Sequence, residues 1–259
     1  MKELVMNDPI TAAKRIAKDY VSASGLGMDL MMAVGGGADV VFKHVPENFR
    51  NSLDRAVLIG LEKALYAADA SRKATGRYPA FIERCVPGIT GAIGGLAGLP
   101  GALIEVPVTV AVIFRGVLEV AEDSGFAPEE EETRKEALRV FAMGGPFYED
   151  DGAEMALIVT KASITGHTVS GLIQKAVPHL ASALGPKIMA QSVPVLGAVS
   201  GATINIIFAA YYRQMAKVRF AILREAQNRG VSFSVVAAEV KAEVENLRPA
   251  KRHSKLEDA

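Results

Sequence analysis

Two predicted helices carry polar side chains within largely apolar stretches, and these side chains are the best candidates for chemistry in the chain. At 100° per residue, most polar positions of the helix predicted over residues 105–123 fall on one arc, opposite an apolar face. Arg115 and Glu119 are spaced i, i+4 and can therefore pair. Asn205 and Arg219 lie on one line of the last long predicted helix. We define the polar seam by its residues, which are Glu105, Thr109, Arg115, Glu119, Asn205 and Arg219.

Two interpretations of the polar seam stay open at the level of sequence. The first is a solvated helix side with a surface ion pair of little energetic value. The second is a buried seam that faces a cavity or a partner helix. The second interpretation stays open because Glu105 and Arg115 stand among strongly apolar neighbours.

The familiar motifs of catalytic and cofactor sites are missing from the sequence. Neither the glycines at 25 and 27 nor the three consecutive glycines at 35–37 are followed by the last glycine of a dinucleotide-binding G-x-G-x-x-G loop. The four histidines have no paired spacing and Cys85 is the single cysteine, so we predict neither a metal site nor a cofactor. A nucleophile with a matching base is not recognised either. A lipid-acting hydrolase that uses the polar seam therefore stays an alternative function and not the leading one.

A basic stripe follows the polar line of the last long helix, roughly 90° away from it. Its members are Arg213, Lys217 and Arg224. The stripe directly follows an uncharged segment, residues 188–212, and such a flank suits the anionic headgroups of a cytoplasmic membrane surface. An ordinary solvated helix face is the alternative.

Two glycine-rich segments without charges, residues 86–104 and 188–212, have about the length that crosses a bilayer. Their glycines also suit apolar helices that pack backbone to backbone. We therefore predict close helix approach at Gly95 and Gly98, and at Gly197 and Gly201. Membrane insertion of these segments and burial in a core both stay open.

Composition limits the class of protein. The 29 acidic and 29 basic residues balance, which argues against nucleic acid as a partner. Half of the residues are hydrophobic, enough for one domain over residues 1–247, and we expect the polar residues 248–259 to be a disordered tail. The N-terminus resembles no secretory signal, which predicts a cytoplasmic location.

Apolar spacing of the helical type, without sustained alternation of period two, predicts an all-α fold: a compact multi-helix bundle with glycine-rich apolar hairpins. Breaks in this pattern come from glycine and proline. The predicted helices span about 9–20, 47–73, 105–123, 129–143, 153–184 with interruptions near 166, 171 and 178, 194–228, and 233–247.

Two motifs resemble the signatures of the EcsC family of bacterial proteins, and the resemblance spans about residues 50–227. The central motif contains GLAGLPG (95–101), EVPVT (105–109), Arg115 and LRVFAMGG (138–145). The C-terminal motif contains PVLGAVSGA (194–202) and then Asn205, Phe208, Ala216, Phe220 and Arg224. The family pattern tends to have Asp at position 105, Tyr at 124 and His at 219, and the loss of that histidine weakens an acid–base or metal role at the C-terminal motif.

The resemblance implies a membrane-linked accessory role, because the family takes its name from a gene that neighbours an ABC-transporter pair. Our leading hypothesis is a helical protein that associates peripherally with the inner membrane and binds lipid or a transporter component, with a homo-oligomer as a further option. A soluble scaffold, whose apolar segments form its buried core, is the third hypothesis.

Overall fold

The computed structural model describes residues 9–34, 47–75, 98–142, 168–190 and 196–247, and most of these residues lie in seven helices. Side-chain surroundings are described for residues 9–23, 25, 47–65, 103–142, 168–185 and 205–247. The helices are α1 (Pro9–Val34), α2 (Glu47–Thr75), α3 (Gly98–Asp123), α4 (Glu131–Phe141), α5 (Val169–Ala190), α6 (Leu196–Arg229) and α7 (Phe233–Leu247). The prediction of an all-α, compact bundle is confirmed for these residues.

One apolar core joins the seven helices. Helix α3 packs between α2 and α6, while α1 and α7 cover another side of α6 and α5 lies against α2 and α4. Aromatic rings fill the region between α3, α4 and α6, where the ring centroids of Phe114 and Phe141 are 5.8 Å apart and those of Phe141 and Tyr212 are 5.0 Å apart. Small residues occupy much of the remaining core.

Two helix ends follow the glycine signals in the sequence. At the end of α3, Gly125 has a φ of 83°, and the N–H of Phe126 donates to the carbonyl of Ala121. At the end of α6, Gly230 has a φ of 63°, and the N–H of Val231 donates to the carbonyl of Ala226. Both are Schellman motifs, in which a left-handed residue closes the helix.

Other glycines and prolines do not interrupt their helices, so several predicted boundaries were wrong. Helix α1 continues past Tyr20 and Gly25, and α5 passes through Gly171 and Pro178. Helix α3 begins earlier than predicted, at Gly98, and contains Pro107. Tertiary packing outweighs the local cost of such residues, which is about 1 kcal/mol for a glycine in a helix interior.

The predicted close approaches at Gly95, Gly98, Gly197 and Gly201 lie outside the residues whose surroundings are described, as does the tail 248–259. A close approach is instead found at Gly60. A Cβ there would lie 3.1 Å from the Cα of Pro107 and 3.2 Å from the Cβ of Val110. The missing side chain of Gly60 thus lets α2 approach the backbone of α3.

Candidate functional site

Helices α3 and α6 run parallel to each other, with their N-terminal ends at the same end of the bundle. Glu105 of α3 contacts Asn205 of α6, and Glu119 contacts Arg213 further along both helices. Phe126 and Phe220 pack together beyond these pairs, with centroids 5.3 Å apart. All six residues of the polar seam are at most 7% exposed. The contacts of Glu105 and Glu119 with α6 lie between these two helices.

The first polar cluster is built around the carboxylate of Glu105. Its Oε1 accepts a hydrogen bond of 2.7 Å from Nδ2 of Asn205 and another from the hydroxyl of Thr109, one turn along α3. These donors replace water around a carboxylate that is 7% exposed. The cluster fixes the register of α3 against α6 near their N-terminal ends.

The second cluster is an ionic chain of two arginines on one carboxylate. Oε1 of Glu119 accepts a bond of 3.1 Å from Nε of Arg115, and Oε2 accepts one of 3.0 Å from Nη1 of Arg213. The stem of Arg213 crosses α3 at Gly116, where a Cβ would lie 3.3 Å from Cγ of Arg213 and 3.2 Å from its Nη1. Because Gly116 has no side chain, the side chain of Arg213 can pass over α3 there and reach Glu119. Arg115 and Glu119 are buried, whereas the side chain of Arg213 is 28% exposed.

The last member of the polar seam, Arg219, faces α4 and α7 and not α3. Its Nε donates a bond of 2.6 Å to Oε2 of Glu136, and its Nη2 contacts the same oxygen. Arg139 binds the other oxygen of Glu136, and the guanidinium of Arg219 lies 4.9 Å from the ring centroid of Phe233. Burial lowers the pKa of Arg219, and the neighbouring Glu136 carboxylate opposes that effect. Arg219 therefore joins three helices through charge and cation–π contacts.

The residues of the basic stripe differ in their contacts with α3 and in their exposure to solvent. Lys217 and Arg224 are exposed, while Arg213 is partly buried in its pair with Glu119. The guanidinium of Arg224 lies over Gly125, where any Cβ would collide with it. This position places a cation at the C-terminal end of α3, which is the negative end of the helix dipole. The basic stripe thus lies along the α3–α6 contact, and only some of its positive charges interact with α3.

Apolar side chains on the same two helices point outward. Ile104 is 78% exposed, Val108 50% and Ile206 40%. In a parallel pair of right-handed helices that meet at Glu105 and Asn205, the residue before Glu105 and the residue after Asn205 point to the same side of the pair. Ile104 and Ile206 therefore share one side, together with Val108.

The helical rotation places the exposed basic residues on this side as well. From Asn205, steps of 100° carry Ile206, Lys217 and Arg224 to within about 20° of one another. We call this surface the outer face; it comprises Ile104, Val108, Ile206, Lys217 and Arg224. Of the described helices, α2 packs on α3 through Pro107 and Val110, and α1 meets α6 at Gln214, positions that lie off this face. The outer face is apolar near the helix N-termini and basic further along.

The charged and apolar side chains of this arrangement can make electrostatic and apolar contacts. Sequence reasoning identified the polar seam, and the structure brings its members into three separate clusters. Sequence reasoning missed Glu136, Gly116 and Gly60. Glu136 could have been found from its i, i+3 spacing to Arg139 on a strongly amphipathic helix, since this pair stands next to the apolar side of α4. Lone glycines within helices gave no comparable signal.

Within the described parts of the chain, no group of His, Cys, Asp or Glu side chains could hold a metal ion. None of the described helices is long and apolar enough to cross a bilayer. Residues 86–97 of the first charge-free segment and 191–195 of the second are not among the described residues.

Comparison with known proteins agrees with the resemblance seen in the motifs. No curated protein and no solved structure matched the chain. The EcsC protein family matches over residues 82–224, which include α3, α4, α5 and most of α6. The matched region contains the whole polar seam and the outer face. Since this match covers more than half of the sequence, the chain belongs to the EcsC protein family.

Proposed function

We propose that this protein binds the surface of anionic membranes through its outer face. The observation that carries the proposal is the adjacency of two kinds of exposed side chain on one side of the α3–α6 pair. Ile104, Val108 and Ile206 offer an apolar end, and Lys217 and Arg224 offer positive charge beside it. An anionic bilayer presents the complementary combination of acyl chains and negative headgroups.

Apolar and basic side chains together bind an anionic membrane more strongly than either kind does alone. Full burial of a large aliphatic side chain contributes about 1.5–3 kcal/mol, and partial insertion contributes less. Each basic residue near an anionic surface adds about 1 kcal/mol. Stable but reversible attachment of a protein generally needs two such signals together. The outer face supplies both without a membrane-spanning segment, which corresponds to peripheral association with the cytoplasmic side of the inner membrane.

The linear arrangement of the basic residues favours a surface over a single headgroup. Lys217 and Arg224 are seven residues apart on α6, which is about 10 Å along the helix axis. Side chains at that spacing contact neighbouring lipids and do not converge on one phosphate. We therefore propose that binding follows the charge density of the membrane. A transporter component or a second copy of the chain is the competing occupant of the outer face.

Co-sedimentation with vesicles tests the proposal. The wild type should bind vesicles that contain anionic phospholipid at low salt, bind neutral vesicles more weakly, and lose most of the difference at high salt. The variant Lys217→Glu with Arg224→Gln should bind anionic vesicles at least about tenfold more weakly, because one near-surface positive charge is reversed and another is removed. Arg213 is left intact, since a glutamate there would face Glu119.

A matched control keeps the change in net charge but moves it. Lys14→Glu with Lys18→Gln alters two exposed residues of α1 by the same total charge, and this variant should bind almost like the wild type. The apolar part is tested by Ile206→Asn against Val235→Asn of α7, whose exposures are 40% and 43%. Equal binding by both members of either pair, or a wild type that ignores anionic lipid, would refute the proposal. Light scattering would then test the outer face as a contact between copies.

A further inference from the structure

Arg213 lies at the boundary between the buried ionic chain and the outer face. Its Nη1 is 3.0 Å from Oε2 of Glu119, yet 28% of its side chain is exposed, and Lys217 follows one helical turn later on the exposed side. An arginine in this position has two possible anionic partners in the presence of a membrane. One is the carboxylate inside the protein, and the other is a lipid phosphate outside it.

We infer that Glu119 competes with lipid phosphate for Arg213 and so restrains membrane binding. The inference rests on the proposed function, because it concerns the regulation of the same surface. Guanidinium groups bind phosphate and carboxylate with similar geometry, so exchange between the two partners needs no new kind of interaction. The partner that Arg213 selects then decides whether the outer face presents two cations or three.

The second arginine makes this exchange feasible. When Arg213 leaves Glu119, Oε1 of Glu119 keeps its bond of 3.1 Å to Nε of Arg115. The buried carboxylate therefore stays beside a positive charge, and the large penalty of an uncompensated buried ion is avoided. A simple pair would not allow this, because its separation would strand one buried charge.

The contact of Arg213 with Gly116 also lets the arginine side chain move. Its stem rests on Gly116, a residue without a side chain, and 28% of the Arg213 side chain is exposed to solvent. The side chain can therefore swing outward without a shift of α3 or α6. The expected motion is a change of rotamer that preserves the fold.

The first test is Glu119→Gln, measured by binding to anionic vesicles. The amide oxygen can keep the bond to Arg115, and the amide nitrogen then faces Arg213 with a donor opposite a donor. Arg213 should then lose its bond to residue 119, and binding should strengthen by about fivefold, the effect of one further near-surface cation. Glu122→Gln is the matched control, because it removes the same charge from an exposed position on α3. Its effect should be clearly smaller.

A double-variant cycle assigns the effect to Arg213. In the background of Arg213→Gln, the change Glu119→Gln should no longer strengthen binding. Gly116→Ala provides an independent route, since its Cβ would crowd Arg213 without altering any charge. It should strengthen binding in the same direction, and only when Arg213 is present. Thermal melting confirms that each variant used is folded.

The outcomes separate this inference from the proposed function. If the wild type binds anionic vesicles and Glu119→Gln equals Glu122→Gln, the competition is refuted while membrane binding stands. A gain that persists in the Arg213→Gln background would refute it as well. If Glu119→Gln does not fold, Gly116→Ala decides by itself. If the wild type fails to bind, both proposals are wrong.

Discussion

The close approach of α2 to α3 at Gly60 predicts opposite effects for the same substitution at two glycines. An alanine at Gly60 would place its Cβ 3.1 Å from the Cα of Pro107, a backbone atom that cannot move by rotation of a side chain. An alanine at Gly25, inside α1, would meet no atom within 4 Å. Both glycines lie within helices and neither has a positive φ, so the two changes differ mainly in packing.

The magnitude follows from two terms. Alanine gains about 1 kcal/mol over glycine in a helix interior. Overpacking in a well-packed core costs about 1–3 kcal/mol. Gly25→Ala should therefore stabilise the protein by about 1 kcal/mol, while Gly60→Ala should range from neutral to about 2 kcal/mol destabilising.

Thermal unfolding followed by far-UV circular dichroism measures this contrast. For a domain of this size, 1 kcal/mol shifts the melting temperature by about 2–4 °C, so the two variants should differ by about 2–12 °C. Gly185→Ala serves as an internal control, because its nearest neighbour is the Cδ2 of Leu53 at 4.0 Å. If Gly60→Ala were as stabilising as Gly25→Ala, α2 and α3 would not be in the close contact described above.

Two further predictions concern ion pairs. Glu136→Gln should lower the free energy of unfolding by about 3 kcal/mol, because it removes the carboxylate that binds the buried Arg219. Arg219→Met should cost less, since Glu136 keeps its bond to Arg139. Equal losses in chemical denaturation would contradict this order. The hydrogen bond from Arg229 lowers the pKa of Glu239, so this pair stabilises the fold above the ordinary pKa of a glutamate and is lost as the pH falls through the lowered value. The wild type should therefore lose more stability on acidification than Glu239→Gln, and parallel melting curves would refute the linkage.

Local glycine and proline signals in the sequence predicted some helix ends correctly, but they also predicted ends or breaks where the helices continue. Gly125 and Gly230 act as left-handed helix caps, and the predicted helices ended next to both. Gly25, Gly171 and Pro178 carry the same local signal but lie inside continuous helices. Their cost is offset by contacts with other helices, and those contacts cannot be read from the residues nearby.

In the candidate site, too, a contact within one helix could be predicted from the sequence, whereas contacts between helices could not. The i, i+4 spacing of Arg115 and Glu119 predicted their pairing, because it depends on a single helix. The bonds from Asn205 to Glu105 and from Arg213 to Glu119 depend on how α3 and α6 are arranged, so the sequence could identify the polar residues but not match them. The contact of Arg219 with Glu136 was missed for that reason too. Whether the outer face binds lipid is a prediction that vesicle binding must decide.

The parallel arrangement of α3 and α6 has a kinetic consequence. Its two polar contacts join residues that are 100 and 94 positions apart in the chain, whereas α6 and α7 meet across a short turn at Gly230. Contacts between distant segments require the closure of a long loop before they contribute any energy. We therefore expect the α3–α6 contact to form late in folding. Contacts that are absent from the folding transition state act mainly on the unfolding rate. The polar clusters between these helices would then determine how long the folded protein lasts more than how quickly it forms.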